Sequence, residues 1–181
     1  QAYYDEPGRG TYERDGGGVL ISQAIHTLDL MLSLVGPVSE VQAISQTTNF
    51  HKMESEDFVA GGMKFKNGAI GSFFASTSSY PGYAESIALN CEKGSAQLQS
   101  GVLTINWLDG RLENFGETAD TGGGSDPMAF PYDWHKKLIS NFVQTIINDT
   151  ESSISGEEAL KVHYLIDGLI ESSRKGRLVK I

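Results

Sequence analysis

Ser22, His26, Asp29 and Ser33 recur at steps of four, three and four residues within the otherwise apolar stretch VLISQAIHTLDLMLSLV. At helical pitch those steps fall on one narrow stripe. A polar line on an apolar helix must find protein partners or face a cleft, because an unpaired buried polar group costs about 1–3 kcal/mol. In a cleft His26 is the natural general acid or base, since its unperturbed imidazole alone titrates near neutrality. Sealed in a core it would be a hydrogen-bonded structural histidine. Asp29 can bind a hydroxylated ligand with Ser22, or accept from backbone amides or an arginine. A metal site is not expected. His26 and Asp29 supply at most two ligands, and His51, His135 and His163 are scattered with no clustered carboxylates or thiolates.

Other residues can border such a site. Tyr3, Tyr4 and Tyr12 accompany Arg9; rings stack on sugar faces and a guanidinium donates to hydroxyls, with plain packing as the competing use. Gly16-Gly17-Gly18 precede the helix, where bare amides can hold an anion or the glycines can simply let a crowded chain pass. His135 follows a loop rich in Gly and opens a helix, a place suited to a site or to a cap. His51 reads as a surface residue and His163 as helix packing. Cys91, the single cysteine, ends an apparent strand and is expected to be a buried, inert thiol.

The elements that must position these residues follow from periodicity. A helix is predicted over 19–35, stopped by Gly36-Pro37. Leu20, Leu30, Met31 and Leu34 widen its apolar surface, so burial on more than one side is expected. Period two then predicts strands at 38–48, 57–65, 69–78, 85–91, 96–99, 102–108 and 111–115. Asn67-Gly68 and Asp109-Gly110 read as type I′ hairpin turns. The Gly-rich stretch 118–131 reads as a long loop that closes over a site or is disordered. A helix with the stripe Trp134, Leu138, Phe142, Val143, Ile146 and Ile147 comes next. Ser155-Gly-Glu-Glu158 is a capping box opening a helix to about Arg174, ended by Gly176, and 178–181 can add a strand. Short antiparallel connections rather than βαβ units predict one α+β domain, an open and largely antiparallel sheet with the helices packed on one face.

Composition narrows the function. With 181 residues, 39% hydrophobic and 20% charged, the chain is an ordinary globular domain. A net charge of -9 and a pI near 4.8 argue against nucleic acid and anionic membranes as partners, leaving small molecules or proteins. No apolar run of about 20 residues and no signal-peptide pattern are apparent, so a cytoplasmic protein is expected. Neither G-x-G-x-x-G nor a P-loop occurs.

The runs Arg9-Gly-Thr-Tyr12, Gly16-Gly-Gly-Val-Leu-Ile-Ser-Gln-Ala-Ile-His26-Thr-Leu-Asp29-Leu and Gly36-Pro-Val-Ser-Glu-Val41 resemble the start of the C-terminal domain of the Gfo/Idh/MocA oxidoreductases. Glu56-Asp57, Phe65-Lys-Asn-Gly68-Ala-Ile-Gly71, Glu92-Lys-Gly94 and Glu171-Ser-Ser-Arg-Lys-Gly176-Arg-Leu-Val extend the likeness over nearly the whole chain. The resemblance implies that residues 1–181 are a single substrate-binding and oligomerisation domain. Its N-terminal Rossmann partner, which would bind NAD or NADP and supply a lysine, is absent from this chain, so the chain alone is expected to bind no cofactor and to be inactive. The family's D-x-x-x-H histidine corresponds to His26, with Ser22 where relatives carry Asp or Asn. Substrate contacts are implied for Ser22, Asp29, Arg9, Tyr12 and His135. The implied reaction is dehydrogenation of a sugar, inositol or other polyol by a full-length protein that forms homo-oligomers through the sheet face; a non-catalytic ligand-binding or oligomerisation module is the alternative.

Overall fold

The period-two segments become strands at nearly the expected limits. A computed structural model describes residues 2–117, 132–152 and 154–181. The strands are β1 Val38–Gln46, β2 Phe58–Phe65, β3 Ile70–Ser76, β4 Ser86–Cys91, β5 Gly94–Gln99, β6 Val102–Trp107, β7 Leu112–Phe115 and β8 Val179–Lys180. All neighbours pair antiparallel, in two four-stranded sheets of order β3-β2-β1-β8 and β4-β5-β6-β7. With helices α1 Tyr12–Asp15, α2 Ile25–Val35, α3 Asp133–Asn148 and α4 Gly156–Lys175, the chain is α+β. It divides into two units, residues 1–82 with 156–181, and residues 83–155.

In the first unit, inward residues of β1 and β2 alternate as strand geometry requires: Val41 and Ala43, then Val59, Met63 and Phe65, are buried. Val162, Leu165, Ile166 and Leu169 form the matching stripe of α4 at i, i+3, i+4 and i+7, and Val19, Leu20 and Leu28 complete the cluster. Each such side chain contributes about 1.5–3 kcal/mol by leaving water. The end of α4 is joined to β1 by side chains. β8 pairs with only Glu40 and Val41. Beyond it, the Ala43 and Ser45 amides of β1 donate to the hydroxyls of Ser172 (3.1 Å) and Ser173 (2.8 Å). The two serines thus continue the ladder where the strand stops.

In the second unit, Ile87, Leu89, Leu98, Leu103, Ile105 and Trp107 share the half-buried face of the sheet, while Ser86, Asn90, Gln97, Thr104 and Asn114 lie on the other. α3 has the expected amphipathic stripe, but its described members Leu138, Phe142, Val143, Ile146 and Ile147 are exposed. The side chain of Trp134 and the loop 118–131 lie outside the described residues.

Several expectations need correction. Asn67 and Asp109 do not take positive φ; only Gly68 (90°) and Gly110 (88°) do, so these are type I turns closed by a glycine bulge. Among the described hairpins, two successive positive φ angles occur at Ser100-Gly101, at 50° and 81°. Cys91 and His163 are exposed rather than packed: Cys91 is the last residue of β4, at the turn into β5, and His163 lies beside the buried stripe of α4 rather than in it. The helix over 19–35 is covered on one side only, with Leu30 and Leu34 exposed. One helical stretch, Tyr12–Val35, does have the length and mean hydropathy (1.5) to cross a bilayer. Here it is broken at Gly16 (φ 77°), and Val19, Leu20 and Leu28 belong to the core of the first unit.

Candidate functional site

The helix that carries the polar stripe begins with a five-residue π turn, Leu20–Ala24, before α2. Its start is held by one residue. The Glu56 carboxylate accepts from the amides of Gly18 and Leu20 at 3.2 Å each, and the Glu56 carbonyl accepts from the Val19 amide at 2.8 Å. Three orphan donors of a helix N-terminus are thereby satisfied, and the negative side chain complements the dipole. A side chain at position 18 would put its Cβ 1.8 Å from the Glu56 carbonyl oxygen, so the third glycine is required for this approach. The anion that the glycine tract can hold is supplied internally.

Ser22, His26, Asp29 and Ser33 all lie on the solvent side of the helix. The cause is geometric: His26 precedes buried Leu28 by two residues, about 160° round the helix. The stripe therefore needs no buried partners, contrary to the premise of a helix covered on most sides. Ser22 and Ser33 bond back to their own helix, donating to the carbonyls of Gly18 (2.7 Å) and Leu30 (2.7 Å). Ser22 keeps lone pairs for a ligand hydroxyl but does not hold His26. Among the described residues, His26 and Asp29 have no hydrogen-bond or ion-pair partner, leaving an open imidazole able to take or give a proton.

The lead-in lies beside this helix start in the network of bonds. Thr11 caps α1, accepting from the Arg14 amide at 3.3 Å. Exposed Tyr12 donates its amide to Glu54 Oε2 at 3.1 Å. Desolvation, with the carboxylates of Glu56 and Glu54 adding to it, pushes the Tyr12 phenol above its ordinary pKa, so it remains a neutral donor and acceptor. Arg9 is engaged already: its guanidinium lies 4.9 Å from the Tyr3 ring centroid, donates to Glu6 at 3.3 Å and pairs with Asp15 at 3.8 Å. Hydrogen bonds from Arg14 and Arg9 hold the Glu6 carboxyl below the usual carboxylate range. His135, the third residue of α3, is exposed and lies in the other unit.

Residues 54–57, which sequence reasoning registered only as a strand opening, organise the region. Gly10 carbonyl accepts from the amides of Glu54 (3.1 Å) and Ser55 (3.0 Å) and from the Ser55 hydroxyl (2.8 Å). Asp57, fully buried, accepts from the Thr48 amide and hydroxyl, both 2.7 Å, and meets His51 Nδ1 at 2.8 Å. His51 is thus no surface residue: its side chain is 8% exposed and packs 4.8 Å from Tyr4, whose hydroxyl donates to Thr77 at 2.9 Å. A signal existed in the sequence. Asp57 shares the inward register of Val59, Met63 and Phe65, and a carboxylate on the core side of a strand demands donors.

Residues 1–97 match the profile of the GFO/IDH/MocA C-terminal domain, more than half of the chain. The chain belongs to that family. Among solved structures it is similar to the WlbA dehydrogenase of Chromobacterium violaceum in complex with NADH and UDP-GlcNAcA, at 30% identity and TM-score 0.76, over 100% of this chain and 51% of that one. The Bordetella pertussis WlbA dehydrogenase, in complex with the same two compounds, matches at 27% identity and TM-score 0.75 over 99% and 50%. Levoglucosan dehydrogenase, in complex with NADH and levoglucosan, shares the fold at 21% identity and TM-score 0.79 over 96% and 53%. The family domain thus spans about half the length of these solved structures. A comparison with curated proteins finds no match.

Proposed function

We propose that this chain is the substrate-side domain of a two-domain, nicotinamide-dependent oxidoreductase acting on a sugar, inositol or related polyol, with His26 moving the hydroxyl proton. The observation that carries the reading is an exposed imidazole, without a partner among the described residues, on the helix that follows Gly16-Gly17-Gly18, with Ser22 and Asp29 on the same stripe. Oxidation of a carbinol needs a base for the O–H proton and an acceptor for the hydride. His26 serves as the base. Ser22 Oγ and the Tyr12 phenol offer hydrogen bonds to neighbouring hydroxyls, and Asp29 accepts from another.

These residues do not fit a dinucleotide. The helix N-terminus, where a pyrophosphate would lie, is occupied by the Glu56 carboxylate. The cofactor that accompanies the WlbA and levoglucosan dehydrogenases is accordingly assigned to a part of the protein outside these 181 residues. The same occupancy, together with the pairing of Arg9, supports a neutral rather than a phosphorylated reacting unit.

The test is His26→Ala in the full-length protein, assayed by NAD+ or NADP+ reduction against neutral polyols. The expected kcat falls at least about a hundredfold, the scale of a lost general base, with the melting temperature unchanged because the residue is exposed. Undiminished turnover would overturn the reading. Calorimetry on this chain alone should detect no tight binding of NAD or NADP.

A second reading, assembly, draws on the open face of the first sheet. Ile44, Ala60 and Phe74 lie in register across β1, β2 and β3, with Ile44 70% and Phe74 62% exposed. We propose that this face joins copies of the chain. Sedimentation of Phe74→Asp should then show smaller species than the parent; identical behaviour would count against it.

A further inference from the structure

We propose that Glu56 is the positioning residue for His26, a role that rests on the reading of His26 as the proton-transfer group. Glu56 is almost wholly buried and binds three successive amides, Gly18, Val19 and Leu20. Immediately after this clamp the chain takes the π turn Leu20–Ala24. In a continuous α-helix, where each residue advances about 100°, Leu20 and Leu28 would point about 80° apart. A π turn advances less per residue, and both leucines enter the core. The phase that buries Leu28 is the phase that presents His26 to solvent. Glu56 anchors the first of the two leucines at its amide, so the clamp and the π turn together set the direction of the imidazole.

The adjoining residues brace the clamp. Asp57 is tied to Thr48 and His51, and Ser55 to Gly10, so Glu56 sits on a fully bonded segment rather than on a free loop. The charge also matters: a neutral amide in its place would present an N–H toward one of the two backbone N–H groups, leaving that donor unpaired.

The experiment uses the full-length protein with wild type, Glu56→Gln and His26→Ala. Turnover is read against myo-inositol, glucose and levoglucosan, and the His26 ring by NMR of histidine-labelled protein. Glu56→Gln should lower kcat at least tenfold while KM changes less than threefold, and should shift or split the His26 ring resonance in folded protein. A merely structural brace would reduce the folded fraction and leave both readouts unchanged, which overturns the proposal. If His26→Ala retains full turnover, the functional reading itself has failed; loss in His26→Ala with wild-type kcat in Glu56→Gln defeats only the positioning role. Should none of the three polyols be oxidised, the ring resonance of folded Glu56→Gln decides, a wild-type spectrum overturning the proposal. Should Glu56→Gln not fold, Glu56→Asp decides: its carboxylate is one methylene shorter, so in folded protein it should shift the His26 ring resonance, and a wild-type ring spectrum overturns the proposal.

Discussion

α4 and α3, with 20 and 16 residues, are both amphipathic, yet α4 seats Val162, Leu165, Ile166 and Leu169 in a closed core while α3 leaves Leu138, Phe142 and Val143 in the open. The difference extends to their units. Among the described residues, every fully buried side chain lies in the unit formed by residues 1–82 and 156–181. That unit is closed by long-range contacts: Ser172 and Ser173 bond to β1, 128 or 129 residues away. In the other unit each strand pairs with its neighbour in sequence. A helical stripe therefore declares that a face can be covered without saying by what. The proposed catalytic helix belongs to the closed unit, where a buried side of Val19, Leu20 and Leu28 fixes an exposed side with His26.

The contrast can be broken most forcefully at Asp57. Asp57→Ala leaves the Thr48 amide, the Thr48 hydroxyl and His51 without their acceptor in a sealed place, so urea unfolding should show a loss of about 4 kcal/mol. Asp57→Asn, which keeps one acceptor, should recover part of it. Leu169→Ala in the core of the same unit is expected to cost about 3 kcal/mol, read as a lower denaturation midpoint at unchanged slope.

A smaller effect tests the edge of the closed unit. Burial raises the Tyr4 phenol above its ordinary pKa, against the lowering effect of its bond to Thr77. A group raised on folding stabilises fully below its unfolded value, about 10 for tyrosine, and that contribution is lost as pH rises through the folded value. Tyr4→Phe should cost about 1 kcal/mol at neutral pH, and the two stability curves should converge in the alkaline range. Parallel curves would assign the alkaline loss elsewhere. Smallest of all, Phe142→Ala on the uncovered stripe of α3, 56% exposed, should change stability by less than about 0.5 kcal/mol. A loss on the scale of Leu169→Ala would show that α3 is as well covered in solution as α4.

Much of the secondary structure was legible because it is local. Strand limits differ from expectation by two residues or fewer, since each pleated run is bounded by turn residues that stop it. The hairpin loops were located correctly and mistyped: a glycine at positive φ fits both a type I′ turn and a type I turn with a glycine bulge, and the negative φ of the residue before it decides for the second. His26 was legible as a candidate from spacing and from the family's motif. Its exposure was not, because apolar residues all round a helix do not say which arc meets a partner.

The sequence by itself determined the α+β class, the antiparallel pairing, the helix carrying Ser22, His26 and Asp29, and membership of the family. Those follow from periodicity, turn residues and short motifs, all encoded over a few neighbouring positions. Only the tertiary structure decided what the glycine tract and the acidic segment do together. Gly18 and Glu56 are 38 residues apart, and nothing local pairs them. Their contact depends on β2 bringing a buried carboxylate to the start of a helix, where three amides lack acceptors and a side chain on the glycine would collide. Likewise His51 reads as exposed within Asn-Phe-His-Lys, and becomes buried because Asp57 and Tyr4 converge on it from outside that segment.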